Sequence, residues 1–391
     1  MNKRNMLALK VGACILTVVC VLAGVFTFLA SSATTRASGR VQRADDDRAV
    51  TINQLKHISV VGSTAFVLDA KGQTVSVDAN PYGIAIVPAT AKMQDAPGTL
   101  KAGDIVVTDI GANHDGNILV DFPAKNGPAH LFNTTQNAMT KGPADMAFNT
   151  ATGTNWVANL AGNNVQIFAP NGSVMATLQN PLFNKPWGMA FNNGTHNAKD
   201  GAVGSFFTSN AGDATIDRID IISGANGPTF RVFQIGQLTK GAVKTKIGLT
   251  WLPSLQVGEK RFDDVLLAID PVNNRIAAYP DSTTANTTLN RAVGMGITVF
   301  QGKPLNNPGG FAISPTTGDL LVVNLNDNNL VELSMKTGKV IGVRQVDNVP
   351  VNPADNNGSA LFGVAATTDS KGNLVVYYTD DNLNTLNMLG V

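Results

Sequence analysis

One short pattern returns along the whole chain, and it constrains the fold more than any other feature. It stands as Asn80-Pro81-Tyr82-Gly83-Ile84-Ala85, Gly142-Pro143-Ala144-Asp145-Met146-Ala147 and Lys185-Pro186-Trp187-Gly188-Met189-Ala190. It comes back as Lys246-Ile247-Gly248-Leu249-Thr250, Asn307-Pro308-Gly309-Gly310-Phe311-Ala312 and Leu361-Phe362-Gly363-Val364-Ala365. Marked at the Gly83 position, the copies sit at 83, 145, 188, 248, 310 and 363, with intervals of 62, 43, 60, 62 and 53 residues. Six copies at uneven spacing predict one supersecondary unit repeated with loops of variable length.

Each unit reads as four short strands. The second copy predicts strands at Asp145–Phe148, Thr154–Ala158, Asn164–Ala169 and Ser173–Leu178, with the hairpin turn Pro170-Asn171-Gly172 before the last. The fifth copy predicts Gly310–Ile313, Asp319–Val323, Asn329–Ser334 and Lys339–Gln345. The acids support an all-β chain: Glu259 and Glu332 are the only two Glu among 28 acidic residues, and Asp favours turns where Glu favours helices. The last copy has strands at Gly363–Ala366, Asn373–Thr379 and Asn384–Leu389, and then the chain stops one strand short. A spare β-rich segment, His57–Leu68, precedes the first copy. Pairing these two ends closes a ring, a six-bladed β-propeller, and removes the exposed edges of an open array. The blades occupy residues 51–391.

The first 33 residues differ. Met1–Lys10 is basic, Val11–Ala30 is an apolar run, and Ser31-Ser32-Ala33 offers small residues to a signal peptidase. The run also suffices to span a bilayer. A cleaved signal peptide and an uncleaved anchor both fit, and both predict export to the periplasm or outer surface. Residues 34–50, rich in Arg and Asp, read as a flexible linker. Cys14 and Cys20 both fall in the leader, so the blades contain no thiol and no disulfide. Without residues 1–33 the chain has 26 basic and 28 acidic residues, a balance that excludes the basic footprint of a nucleic-acid binder. Membrane contact is expected only through the N-terminal segment.

The pattern Pro-x-Gly-apolar-Ala, followed by a strand ending in Asp or Asn and an Asn-rich turn, resembles the NHL-repeat type of six-bladed β-propeller over roughly residues 57–391. The wider superfamily holds interaction modules as well as metal-dependent lactonases and lyases. In such propellers the turn after the second strand of each blade and the loop entering the first share one face, around the mouth of the central channel. The resemblance therefore implies that the residues before the Gly border this mouth: Tyr82, Ala144, Trp187, Ile247, Gly309 and Phe362. Tyr82, Trp187 and Phe362 offer a stacking surface for a sugar or another flat ligand, or else they plug the channel as packing. His114, on the same face, and Asp145, which stands where most copies have Gly, complete the candidate ligand site.

The ends of the second strands are Asp109, Asn159, Asn210, Asp270, Asn324 and Asp380. With Asp145, their oxygens make a candidate site for a hard cation such as Ca2+. The alternative is local: Asp and Asn at such places hydrogen-bond their own turns, and Asn113, Asn163, Asp213, Asn273 and Asp327 fit that reading too. His57, His114, His130 and His196 form no metal-ligand spacing. The lactonase branch holds its metal with a Glu near the start of the first blade, where this chain reads Asn80-Pro81-Tyr82-Gly83. Long first-to-second-strand connections are expected at Pro88–Ala102, Asn192–Gly204 and Leu252–Arg261. The expected function is an exported, non-enzymatic binding or scaffolding module for protein or glycan. The alternative is a Ca2+- or Mg2+-dependent hydrolase or lyase acting at the channel mouth.

Overall fold

A computed structural model of the protein describes residues 50–89, 98–125, 127–133, 137–192, 201–238, 245–284, 295–352 and 357–391. The expected leader and nearly all of the linker lie outside these residues, and so do His196 and most of the connections at 88–102 and 192–204. Among the described residues no helix is long and apolar enough to cross a membrane.

The chain folds into six sheets, antiparallel but for one parallel contact in the first, each with its lowest-numbered repeat strand innermost. Innermost strands are Pro81–Ile86, Pro143–Phe148, Pro186–Phe191, Leu249–Val257, Pro308–Ile313 and Leu361–Thr368, defining blades 1 to 6. Each touches the next, and the sixth touches the first, so the ring is closed. Apolar clusters fill the spaces between neighbouring blades, such as Leu321, Val323, Val364 and Val376 between blades 5 and 6. Because blades stack face to face, their middle strands are buried on both sides, as at Ile105–Asp109 and Leu320–Asn324. That explains why these strands are continuous apolar runs and not alternating ones.

The ring closes as the sequence predicts. His57–Ser63 runs antiparallel to Thr385–Gly390, with Ile58 opposite Leu389 and Ser63 opposite Thr385. The expected spare strand divides, however. After a bend at Thr64-Ala65 the chain passes to blade 1, where Phe66–Leu68 hairpins with Thr74–Ser76 and meets the two-residue fourth strand His130–Leu131 through Leu68. A second correction concerns Leu252–Arg261, which is not a loop. Leu249–Val257 and Lys260–Asp270 continue as one long hairpin, with Val257 opposite Lys260 around Gly258-Glu259. Gly258, at φ 61°, supplies the backbone that such a two-residue turn requires.

The recurring Pro-x-Gly has one physical cause. In five blades the pairing of innermost and second strands shifts register across it, as between Pro81 and Ile84 or Leu361 and Val364. The bulge turns the x-Gly peptide toward the axis, against the next blade. A Cβ at Gly83 would lie 2.6 Å from Asp145 Cα, and one at Gly248 would lie 2.8 Å from the Gly309 carbonyl oxygen. At Gly188, Gly310 and Gly363 it would collide with the carbonyl oxygens of Ile247, Phe362 and Tyr82 on the following blade. Only glycine lets the strands approach this closely.

The bulge also frees the glycine N–H from the sheet, and hydroxyls take it. Gly83, Gly188 and Gly363 donate to Thr108, Ser209 and Thr379 at 2.8, 2.8 and 2.9 Å. Each hydroxyl in turn donates to the next blade: Thr108 to Ala144 O at 3.0 Å, Ser209 to Ile247 O at 2.7 Å, Thr379 to Tyr82 O at 3.1 Å. Thr379→Val would leave a buried donor and a buried acceptor unpaired at the seam of the ring, for a loss of about 1–3 kcal/mol in denaturant unfolding. Deleting residues 384–391 removes the strand that closes the ring. Calorimetry and size-exclusion chromatography should then show loss of cooperative unfolding or aggregation; a monomer with the full-length melt would contradict closure.

Candidate functional site

The bulges aim three of the expected residues at one place, where His114 joins them from a turn. Tyr82 and Phe362, from adjoining blades 1 and 6, stack with centroids 3.8 Å apart and planes 13° apart. Trp187 meets Tyr82 edge-on at 5.3 Å, and His114, on the turn after the second strand of blade 1, does so at 6.1 Å. Tyr82 and Trp187 are buried, with Ile110, Ala144 and Ala211 packed around them. Phe362 is half-buried and His114 exposed, so these two form the reachable rim.

The residue at the centre was not singled out by the sequence. Lys246 Nζ donates to Tyr82 Oη at 3.1 Å and lies 5.1, 5.1 and 4.8 Å from the ring centroids of Tyr82, Trp187 and Phe362. The signal was present: Lys246 stands where four copies have Pro. In the other blades this position pairs with the Asp or Asn that ends the second strand, as Pro81 pairs with Asp109 and Leu361 with Asp380. In blade 4 the strand starts only at Leu249, and Asp270 is held by Arg275 at 3.0 Å and by Asn273. Gly248 still accepts the N–H of Ile269 at 3.0 Å, but residues 245–247 lie outside the sheet, and Lys246 reaches over the mouth. Burial lowers its ammonium to about 8, against the pull of Asp381. Asp381 is raised to about 6 by burial, with Lys246 opposing. Burial, then Lys246, lowers His114, and burial, then Asp381, raises Tyr82.

Asp145 stands apart from this cluster. It faces the axial channel, a cavity of about 640 Å³ bordered by the innermost strands, with Tyr82, Trp187, Phe362 and Lys246 at one end. Its Oδ1 accepts the N–H of Met146 at 2.8 Å, and its Oδ2 accepts that of Met189, on blade 3, at 3.0 Å. Blade 2 has Ala158 where blades 1, 3 and 6 have the bridging hydroxyl, opposite Asp145 in register. The carboxylate thus supplies the tie to the next blade that the alanine does not. Burial raises it to about 7, with the two backbone hydrogen bonds opposing.

The other candidate metal ligands serve their own blades. Asp109, Asn210 and Asn324 accept the N–H groups of Asn80, Asn184 and Asn306 at 3.0, 2.9 and 3.1 Å. Asn159 donates to Asn164 and Gln166, and Asp380 accepts the N–H of Leu383 at 3.1 Å. Among the described residues no three His, Cys, Asp or Glu side chains are grouped to hold a metal ion. Most of their hydrogen bonds stay within separate blades, while Asp109 Oδ2 and Asn159 Oδ1 are buried without a partner, so the described residues show no converged oxygen set for a shared Ca2+.

No family model matches the chain, and no curated protein matches it. Solved structures do. The likeness is to β-propellers. A protein of unknown function from Bacteroides thetaiotaomicron superposes with a TM-score of 0.53 at 11% identity, covering 85% of this chain and 75% of its own. A gluconolactonase from Xanthomonas campestris gives 0.51 at 12%, covering 86% and 98%. Virginiamycin B lyase from Staphylococcus aureus gives 0.50 at 13%, covering 86% and 99%. At these identities the shared property is the fold, the six-bladed ring expected from the repeat.

The Asp145 tie predicts a pH effect. The folded protein keeps this proton up to about pH 7, whereas an exposed Asp releases it near 3.8. Between those values the folded state binds more protons, so this contribution to stability falls as pH rises. Asp145→Asn turns an amide donor toward a backbone N–H and should destabilise by about 1–3 kcal/mol at acidic pH. The gap to wild type should narrow from pH 4 to 8, and calcium or chelator should leave both melts unmoved. A wild-type melting temperature that rises with calcium would restore the metal reading.

Proposed function

We propose that this propeller is an exported, non-enzymatic binding module that takes a glycan at the mouth formed by Phe362, Tyr82, Trp187, His114 and Lys246. The observation that carries this reading is the Tyr82–Phe362 stack, with Phe362 at the rim and polar groups around it. A sugar ring offers an apolar C–H face and polar edges. An aromatic ring presents a negative face to the former, while His114, Lys246 and Asp381 can hydrogen-bond the latter. The leader supports export, since a basic start followed by a long apolar run directs a chain out of the cytoplasm.

A second reading has an observation of its own. Burial moves Lys246 to about 8 and Asp381 to about 6, and titratable groups shifted toward neutrality beside one another also suit proton transfer. This supports a hydrolase or lyase at the same mouth. A metal-dependent version would require converging oxygen ligands, and no three His, Cys, Asp or Glu side chains are grouped among the described residues.

The test is titration of the purified protein with soluble oligosaccharides by calorimetry, with mass spectrometry of the sugar afterwards. Binding with the sugar intact is expected, and Phe362→Ala should weaken it at least tenfold, or about 1.4 kcal/mol. Cleaved or eliminated product would decide for the enzyme. No binding by any sugar would overturn the glycan reading.

A further inference from the structure

Resting on the glycan reading, we infer that the mouth is an anion-selective subsite: Lys246 anchors the carboxylate of an acidic, uronate-bearing glycan whose ring face packs on Phe362. Three aromatic rings around a cation normally make a cage for a cationic ligand. Here the place beside the rings is already taken by the protein's own ammonium, about 5 Å from all three centroids and flanking the Tyr82–Phe362 stack. A cationic ligand seated against Nζ would meet that charge directly, whereas an anionic one would be attracted to it at contact distance, against the Asp381 carboxylate, which makes no ion pair with Lys246.

The donor count points the same way. An ammonium has three N–H donors and no acceptor. Among the described residues Lys246 makes one hydrogen bond, to Tyr82 Oη, and no ion pair. The ring carbons offer no lone pairs. Asp381 influences Lys246 through space without contacting it. A ligand carboxylate reaching Nζ from the rim would complete the shell and form a charge-assisted bond in a partly desolvated site, where such a bond is stronger than in water. Placement agrees: Lys246, Phe362 and Asp381 are all half-buried, with the buried Tyr82 and Trp187 beneath them. The charge is therefore at the surface of the mouth, beside the ring on which a sugar would stack. The same ammonium sets the pH range. The titratable groups facing it are Tyr82, His114 and Asp381, and raising pH past about 8 removes its proton.

The experiment compares uronate oligosaccharides, built from galacturonate, glucuronate or mannuronate, with the same chains after full methyl esterification, which keeps the sugar and removes the charge. By calorimetry at pH 7, wild type should bind at least one acidic chain at least tenfold more tightly than its ester, and that preference should decline past pH 8. Lys246→Met keeps the length and apolar character of the side chain and should abolish the preference while the ester still binds. Lys246→Arg should restore it, and thermal melts of both variants would show that the fold is kept. Equal affinity for acid and ester in wild type, or a preference that survives Lys246→Met, would overturn the anion subsite and leave the glycan reading standing. Absence of binding by both acidic and esterified chains, with neutral oligosaccharides also unbound, would overturn the two together.

Discussion

The ring depends on one close contact, repeated around its axis: the α-carbon of an innermost-strand glycine against the carbonyl of the next blade. Gly188 meets Ile247, Gly310 meets Phe362 and Gly363 meets Tyr82 in this way. The contact imposes two further features. The strand must bulge to bring the peptide to the axis, and the freed N–H must find a partner, because a buried donor without one is costly. Thr108, Ser209 and Thr379 answer the second need and simultaneously bind the next blade's carbonyl. The same bulge turns the residue before the glycine toward the mouth. The rule that closes the ring is therefore also the rule that places Tyr82, Trp187 and Phe362 together.

This explains what was legible in the sequence. A constraint obeyed in most blades leaves a repeated mark, so the strands of blades 2, 5 and 6 and the terminal closure follow from the Pro-x-Gly pattern and the turns between copies. The division of His57–Leu68 between two blades left no such mark, because it depends on where blade 1 runs short of a fourth strand. The hairpin Leu249–Asp270 was hidden for a related reason. It extends past the length of the other copies, and comparison among copies treats any excess as loop. Asp145 was visible as an exception, but its role rests on Ala158 and on Met189 of blade 3, which only the folded ring brings to it.

Lys246 was the larger omission, and its cause is physical. Its partner Tyr82 is 164 positions away and across the ring, so no local pattern links them. What the repeat does show is that blade 4 breaks its own rule at this point. Proline there begins an innermost strand and pairs with the end of the second; lysine does neither. Arg275 satisfies Asp270 in its place, and the chain before Gly248 is released from the sheet.

The exceptions to the repeat therefore do different work. Asp145 carries a buried carboxylate whose oxygens are both turned to backbone N–H groups, so it is committed to holding blades 2 and 3. Lys246 carries a charge whose donors are only partly used, at the rim of an aromatic cluster. A side chain with satisfied partners stabilises the protein that contains it, whereas one with donors to spare has capacity for a ligand. Within one channel, the acid at the wall belongs to the scaffold, and the ammonium at the mouth keeps donors that the scaffold does not use. That distinction does not follow from burial alone, since desolvation shifts both groups toward neutrality. It follows from where their hydrogen bonds go.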